Sequence, residues 1–183
     1  MRGLLALMAV GAVAWGLSRR DGPIRAPSEI LNMLGVEDRG GAPLPTLSTQ
    51  PCEGPTLTAR PEVQDPAFAD SIVVICRRDE TGTLGFVVNR ELPAPARPVF
   101  RVPGNVYLGG PLQPAQGALL HRTPDGVFWT SSRAAAGAVS RDAVPSAVVF
   151  GHARWTADGL NSEIEGGAWD VHEGAVLPGE PVP

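Results

Sequence analysis

The sequence predicts an α+β fold, a mainly antiparallel and partly barrel-like sheet carrying a few short helices. Two observations predict it. From Thr56 onward, short β-branched and apolar runs recur, separated by polar connections that hold Gly and suit hairpins rather than helical crossovers. Helix signals, by contrast, are confined to a few brief stretches, so strands dominate and helices sit at their margins. With 183 residues, 43% hydrophobic and 19% charged, the chain supplies one core plus extensions.

The elements follow in order. Residues 1–20 begin with Arg2, continue uncharged from Leu4 to Leu17 and end in Arg19-Arg20. That run has the length of a signal-peptide apolar region and falls short of the ~20 residues that span a bilayer. Ala12-Val13-Ala14 has cleavage-site spacing but lies inside the run, and positive charge at Arg19-Arg20 resists translocation. A cleaved signal, a short uncleaved anchor and a mis-assigned start codon all fit, and membrane association or export through residues 4–17 is slightly favoured. Residues 21–55 read as a Pro/Gly-rich linker, with a short helix from Ser28 to Gly35. A domain over 56–175 follows, and 176–183 read as a tail.

Within the domain, Ser71–Cys76 and Thr83–Asn89 are strands joined by the polar connection Arg77–Gly82. Further strands are expected at Val106–Leu108, Gly117–His121, Val127–Thr130 and Ala147–Phe150. A helix is expected from Thr156 or Ala157 to Ile164, stopped by Gly166-Gly167, and another over Ser132–Val139.

Charge and composition exclude several functions. Net charge is −4, all fifteen basic residues are Arg, and they are scattered. A nucleic-acid binder needs a basic stripe to displace counterions, so direct nucleic-acid contact is disfavoured. Cys52 and Cys76 lack a C-x-x-C pairing, and two unpaired thiols are expected, with a bridge open to an exported chain. His121, His152 and His172 lack metal-ligand spacing, no Ser lies in a G-x-S-x-G elbow, and neither Cys has an evident base beside it. No metal, cofactor or enzymatic activity is expected.

Four phrases carry a family resemblance. They are Asp65-Pro66-Ala67-Phe68 with Ser71–Cys76, Gly82–Arg90, Val106–Leu112 with Leu119-Leu120-His121, and Gly151–Trp155 with Leu160, Glu163-Ile164 and Trp169. Together, in this order, they resemble the YqgE/AlgH family of small bacterial α+β domains. The resemblance implies a fold and no specific reaction. It also implies a cytoplasmic location and, for some members, transcriptional regulation; no helix-turn-helix supports that here. The segment between Arg90 and Val106 is shorter than usual for the family, and His152 stands where Tyr is usual.

Most motif residues have structural roles by their chemistry. Asp65-Pro66 starts a turn, Gly82, Gly85, Gly109 and Gly110 suit positive φ or close backbone approach, and Trp155 and Trp169 suit packing of the terminal helix. The functional alternative is a small anion pocket where the phrases converge, lined by Asn89, Arg90, Gly109, Gly110 and Arg154. The leading expectation is a binding or regulatory domain acting through a protein partner or small ligand. The alternatives are a membrane-tethered interaction module and an enzyme using that Gly-rich pocket.

Overall fold

The structure is a computed structural model that describes residues 32, 34–45, 49–92, 105–131 and 146–183. Among the described residues nine strands and one complete helix succeed one another: β1 Thr49–Pro51, β2 Thr56–Ala59, β3 Ile72–Asp79, β4 Gly82–Val87, β5 Val106–Leu108, β6 Leu112–Thr123, β7 Gly126–Thr130, β8 Ser146–Trp155, α1 Gly159–Glu165 and β9 Trp169–His172. The strands lie in the order β1-β7-β6-β8-β4-β3-β2-β9, and β5 joins β8 as its one parallel neighbour.

β8 organises this sheet. Its first half pairs antiparallel with β6 (Leu120 opposite Ala147) and parallel with β5, whereas its last residues pair with β4 (Leu84 opposite Arg154). The change of partner falls at Gly151, whose φ of 78° breaks the regular strand. The two halves of the sheet therefore fold over a shared core instead of continuing in one plane. The path stays open, with β1 and β9 at its ends, so the barrel-like closure expected from the sequence does not form.

Side-chain alternation sorts the core into faces. On β3 and β4, Val74, Cys76, Leu84 and Phe86, with Val88 just beyond β4, enter the central cluster with Leu120, Trp129 and Val149. Val73, Ile75 and Val87 point the other way, where Leu160 of α1, Trp155 and Trp169 cover them. A register shift between Ile75 and Arg77 makes room for one extra residue in β3, so Arg77, not Cys76, is opposite Leu84.

Several expectations change. The helix begins at Gly159, after a turn at Thr156–Asp158. Strands β1, β2 and β9 are additions to the expected set: each is three or four residues long and too short to show an alternation. Part of the expected linker is packed structure, since Val36 and Leu44 are buried and β1 pairs with β7. The expected tail also docks: Val176 and Leu177 are buried, and the Glu180 carboxylate accepts hydrogen bonds from Arg122 and from the Leu177 N–H.

Cys52 and Cys76 are joined in a disulfide, which overturns the expectation of two free thiols. The cause is the path of the segment between β1 and β2. The Cys52 N–H donates to the Val127 carbonyl at 2.7 Å and the Gly54 N–H to the Ile75 carbonyl at 3.1 Å, which carries Cys52 from β7 to the bulge of β3. Among the described residues no helix is long and apolar enough to cross a membrane; the apolar run over 4–17 and the helix expected over 132–139 lie outside them.

The helix is fastened by one carboxylate. Glu163 Oε2 accepts from Trp155 Nε1 at 2.9 Å and from Trp169 Nε1 at 2.8 Å. Replacing it with Ala leaves two indole N–H groups without their acceptor, at a cost of about 1–2 kcal/mol. Glu163→Gln keeps one acceptor oxygen and should lose less. Urea unfolding followed by Trp fluorescence checks the order wild type, Glu163→Gln, Glu163→Ala.

Candidate functional site

The residues proposed from the sequence are held by different constraints. At the turn after β2, Asp65 Oδ1 accepts from the Ala67 N–H at 2.9 Å, and both carboxylate oxygens accept from Arg39 Nη2 at 2.6 and 2.7 Å. Burial alone would raise the pKa of Asp65, but the Arg39 hydrogen bond, the Ala67 N–H and the charges of Arg39 and Arg90 together hold it below the ordinary value.

Asn89 and Arg90 close the other side of this loop. Asn89 Oδ1 accepts from the Ile72 N–H at 2.9 Å and its Nδ2 donates to the Asp70 carbonyl at 2.8 Å. Arg90 Nη1 donates to the carbonyls of Pro66 and Ala67, and Nη2 to that of Ala69. Its guanidinium is thus a cap on the backbone of residues 66–69, a site where burial lowers its pKa and Asp65 and Asp70 oppose the shift. The loop delivers Phe68 to Trp155 and Trp169, with ring centroids 5.7 and 5.9 Å away. The first, second and fourth motif phrases meet in this aromatic cluster.

Gly109 and Gly110 serve a backbone crossing. The Gly109 N–H donates to the Phe150 carbonyl at 2.7 Å, and its carbonyl accepts from Val87 at 2.8 Å. A Cβ on Gly110 would collide with the His152 carbonyl, and one on Gly151 with the Gly110 carbonyl. With its N–H already bonded, Gly109 has no backbone donor left for an anion.

Arg154 differs from the other four. It stands in β8 opposite Leu84, which stands opposite Arg77 in β3. Its Nε is buried with no hydrogen-bond partner among the described residues. Two residues earlier on the same face, His152 is fully buried and neither ring nitrogen meets hydrogen-bond geometry. Burial first, then the Arg154 charge, push its pKa down to about 4, although the nearby Ala42 backbone opposes the shift. The five proposed residues therefore divide: Asn89 and Arg90 hold the 65–70 loop, Gly109 and Gly110 the crossing, and Arg154 faces the end of the central core beside His152.

The remaining histidines stand apart. His121 is buried and stacked on Phe128 at 6.0 Å, its pKa lowered by burial. His172 Nε2 shares a hydrogen bond with Thr58 Oγ1 at 2.9 Å. Among the described residues no three His, Cys, Asp or Glu side chains stand together as a metal site. Sequence reasoning placed Glu163 only within the fourth motif phrase and missed it as a clamp. The available signal was a lone carboxylate on the helix between two Trp residues, eight positions after one and six before the other.

The depressed pKa of Asp65 fixes the sign of a pH effect. Its stabilising contribution is present above the ordinary carboxylate pKa of about 4 and is lost as pH falls through the lower folded-state value. Asp65→Asn should therefore be less stable than wild type near pH 7, by about 0.5 kcal/mol given the pair's exposure. The gap should narrow below about pH 4. Urea midpoints at pH 7, 5 and 3 check this.

The fold and the motif geometry have known counterparts. A family model described as AlgH-like matches residues 56–176. A UPF0301 protein of Paraburkholderia phytofirmans is 32% identical over 140 residues, covering 62% of this chain and 72% of its own length. A UPF0301 protein of Neisseria gonorrhoeae is 32% identical over 136 residues, covering 62% of this chain and 74% of its own. Among solved structures, a Corynebacterium diphtheriae protein superposes with a TM-score of 0.59 at 22% identity, over 74% of this chain and 80% of that one. The AlgH protein of Pseudomonas aeruginosa does so with a TM-score of 0.53 at 24% identity, over 75% and 86%. These two likenesses support the fold alone; the family model, which spans most of the chain, carries the assignment. The chain belongs to the AlgH-like family.

Proposed function

We propose that this protein is a non-enzymatic binding domain, acting in regulation through a protein partner or small ligand and not by direct contact with DNA. The observation that carries this reading is the use of the motif's polar groups. The side chains of Asn89 and Arg90 and the N–H of Gly109 are bonded to backbone carbonyls and amides of the domain itself, so their main hydrogen bonds serve the fold and not a substrate. The net charge of −4 supports the absence of a DNA-binding role.

A second reading places this binding domain at a membrane or outside the cytoplasm. Two features favour it: the uncharged run from Leu4 to Leu17 and the Cys52–Cys76 disulfide, a bond that persists mainly in oxidising compartments. On this view the segment ahead of β1 joins a membrane-proximal end to the domain.

The non-enzymatic reading is tested by incubating the full chain with p-nitrophenyl phosphate and p-nitrophenyl acetate, with Arg154→Ala as control. No turnover dependent on Arg154 is expected. A rate that disappears in the variant would contradict the reading. The tethered reading is tested separately, by fractionating cells expressing the full chain and alkylating free thiols before lysis. Membrane recovery with both cysteines protected is expected, whereas soluble protein with two alkylated thiols would remove it.

A further inference from the structure

We propose that Arg154, with Arg77 and His152, forms a binding site for one oxyanion group, a carboxylate or a phosphate, at the end of the core beside residues 39–44. The inference rests on the reading of the domain as a binding module and names the chemistry of what it binds.

Register places the cations together. Arg77, Leu84 and Arg154 form one row across β3, β4 and β8, so both arginines share the face of Leu84. Neighbouring strands lie about 4.8 Å apart, which puts the two arginine Cα atoms about 10 Å apart with Leu84 between them. That is a span two long side chains can close around a small anion. His152 lies on the same face of β8, because Ala153 and Trp155 face the helix side instead. Arg78 also leaves this face and donates to Asn161 of α1.

The charges do not balance. Asp79 is the carboxylate that both arginines approach, and it is already engaged: Arg77 Nε lies 3.0 Å from its Oδ2, and the Thr81 N–H donates to its Oδ1 at 2.8 Å. Arg154 is left with a buried Nε that has no hydrogen-bond partner among the described residues, and the fully buried His152 with two unbonded ring nitrogens. Buried polar groups are almost always satisfied, and a guanidinium Nε–H buried without an acceptor is unfavourable even with the Asp79 charge nearby. An oxyanion answers both defects, since guanidinium matches its geometry with two parallel N–H donors and neutral imidazole supplies a third.

The backbone nearby gives the site a wall. The Arg39 N–H donates to the Pro111 carbonyl, and Gln113 bonds Gly40 and Gly41 through its N–H and its Nε2. Leu112 pairs in register with His152, and the Ala42 backbone lies close to the His152 ring. Residues 39–42 are therefore fixed beside His152, while Arg77, with a side chain 22% exposed, leaves a way in from solvent.

The test is a thermal-unfolding titration of the full chain at pH 7.5 with sodium phosphate and, separately, sodium acetate, sodium chloride holding ionic strength constant. A saturable rise in Tm of about 3–5 °C is expected at ten times the dissociation constant of the bound ion. A response to phosphate alone assigns the group as phosphate, and a response to acetate assigns a carboxylate. Arg154→Met should fold, because it keeps the aliphatic stem and removes a buried N–H that has no acceptor among the described residues, and should abolish the rise. Arg154→Lys should weaken binding about tenfold, and Arg78→Met, on the opposite face, should leave it unchanged. No saturable rise with either ion, or an undiminished rise in Arg154→Met, would overturn the inference. Such a failure leaves the non-enzymatic reading standing, since that reading falls only to turnover.

Discussion

Where β5 ends, its backbone passes against β8 so closely that two side chains have no room to exist. The Gly110 carbonyl occupies the place of a Cβ on Gly151, and the His152 carbonyl that of a Cβ on Gly110. This crossing lets β8 change partners around Gly151, leaving β5 after Phe150 and β6 after His152 and pairing with β4 from Ala153. Without the break, Ala153 and Trp155 would not reach the helix-covered face while Val149 stays in the central cluster. Both cores thus depend on a contact between main chains, which explains Gly at these positions by sterics alone.

The other motif phrases are consequences of the same geometry. Once Trp155 is on the outer face, it meets Trp169 of β9 at 6.2 Å and Phe68 of the 65–70 loop, and Glu163 joins the two indoles. Asn89 and Arg90 secure that loop from the end of β4. Residues far apart in sequence are therefore one mechanical unit. Arg154 is the exception, because it projects from β8 toward the central core and its buried Nε has no partner among the described residues.

Much of the fold was legible in the sequence, and what was missed has physical reasons. β3, β4, β7 and the first half of β8 are long enough to show β-branched runs, and Gly166-Gly167 marked the end of α1. Thr56–Ala59 and Trp169–His172 are too short for periodicity and exist because they pair with each other, the first also with β3. Pro and Gly between residues 40 and 55 resemble a linker, yet the backbone bonds that dock this stretch and the Cys52–Cys76 bridge are set by distant strands. The motif identified Asn89, Arg90, Gly109, Gly110 and Arg154 together. Which of them bond internally is a tertiary property that spacing does not encode, as the contrast between Arg90 and Arg154 demonstrates.

The steric origin of the crossing is tested most directly by comparing Gly151→Ala with Gly174→Ala in urea unfolding. The two glycines have nearly the same φ, 78° and 80°. A methyl group added at Gly174 would have nothing within 4 Å, whereas one at Gly151 would meet the Gly110 carbonyl. Backbone strain alone predicts equal losses of about 1 kcal/mol. The crossing predicts that Gly151→Ala loses at least about 2 kcal/mol more than Gly174→Ala, or fails to fold. Equal, small losses at both positions would contradict it.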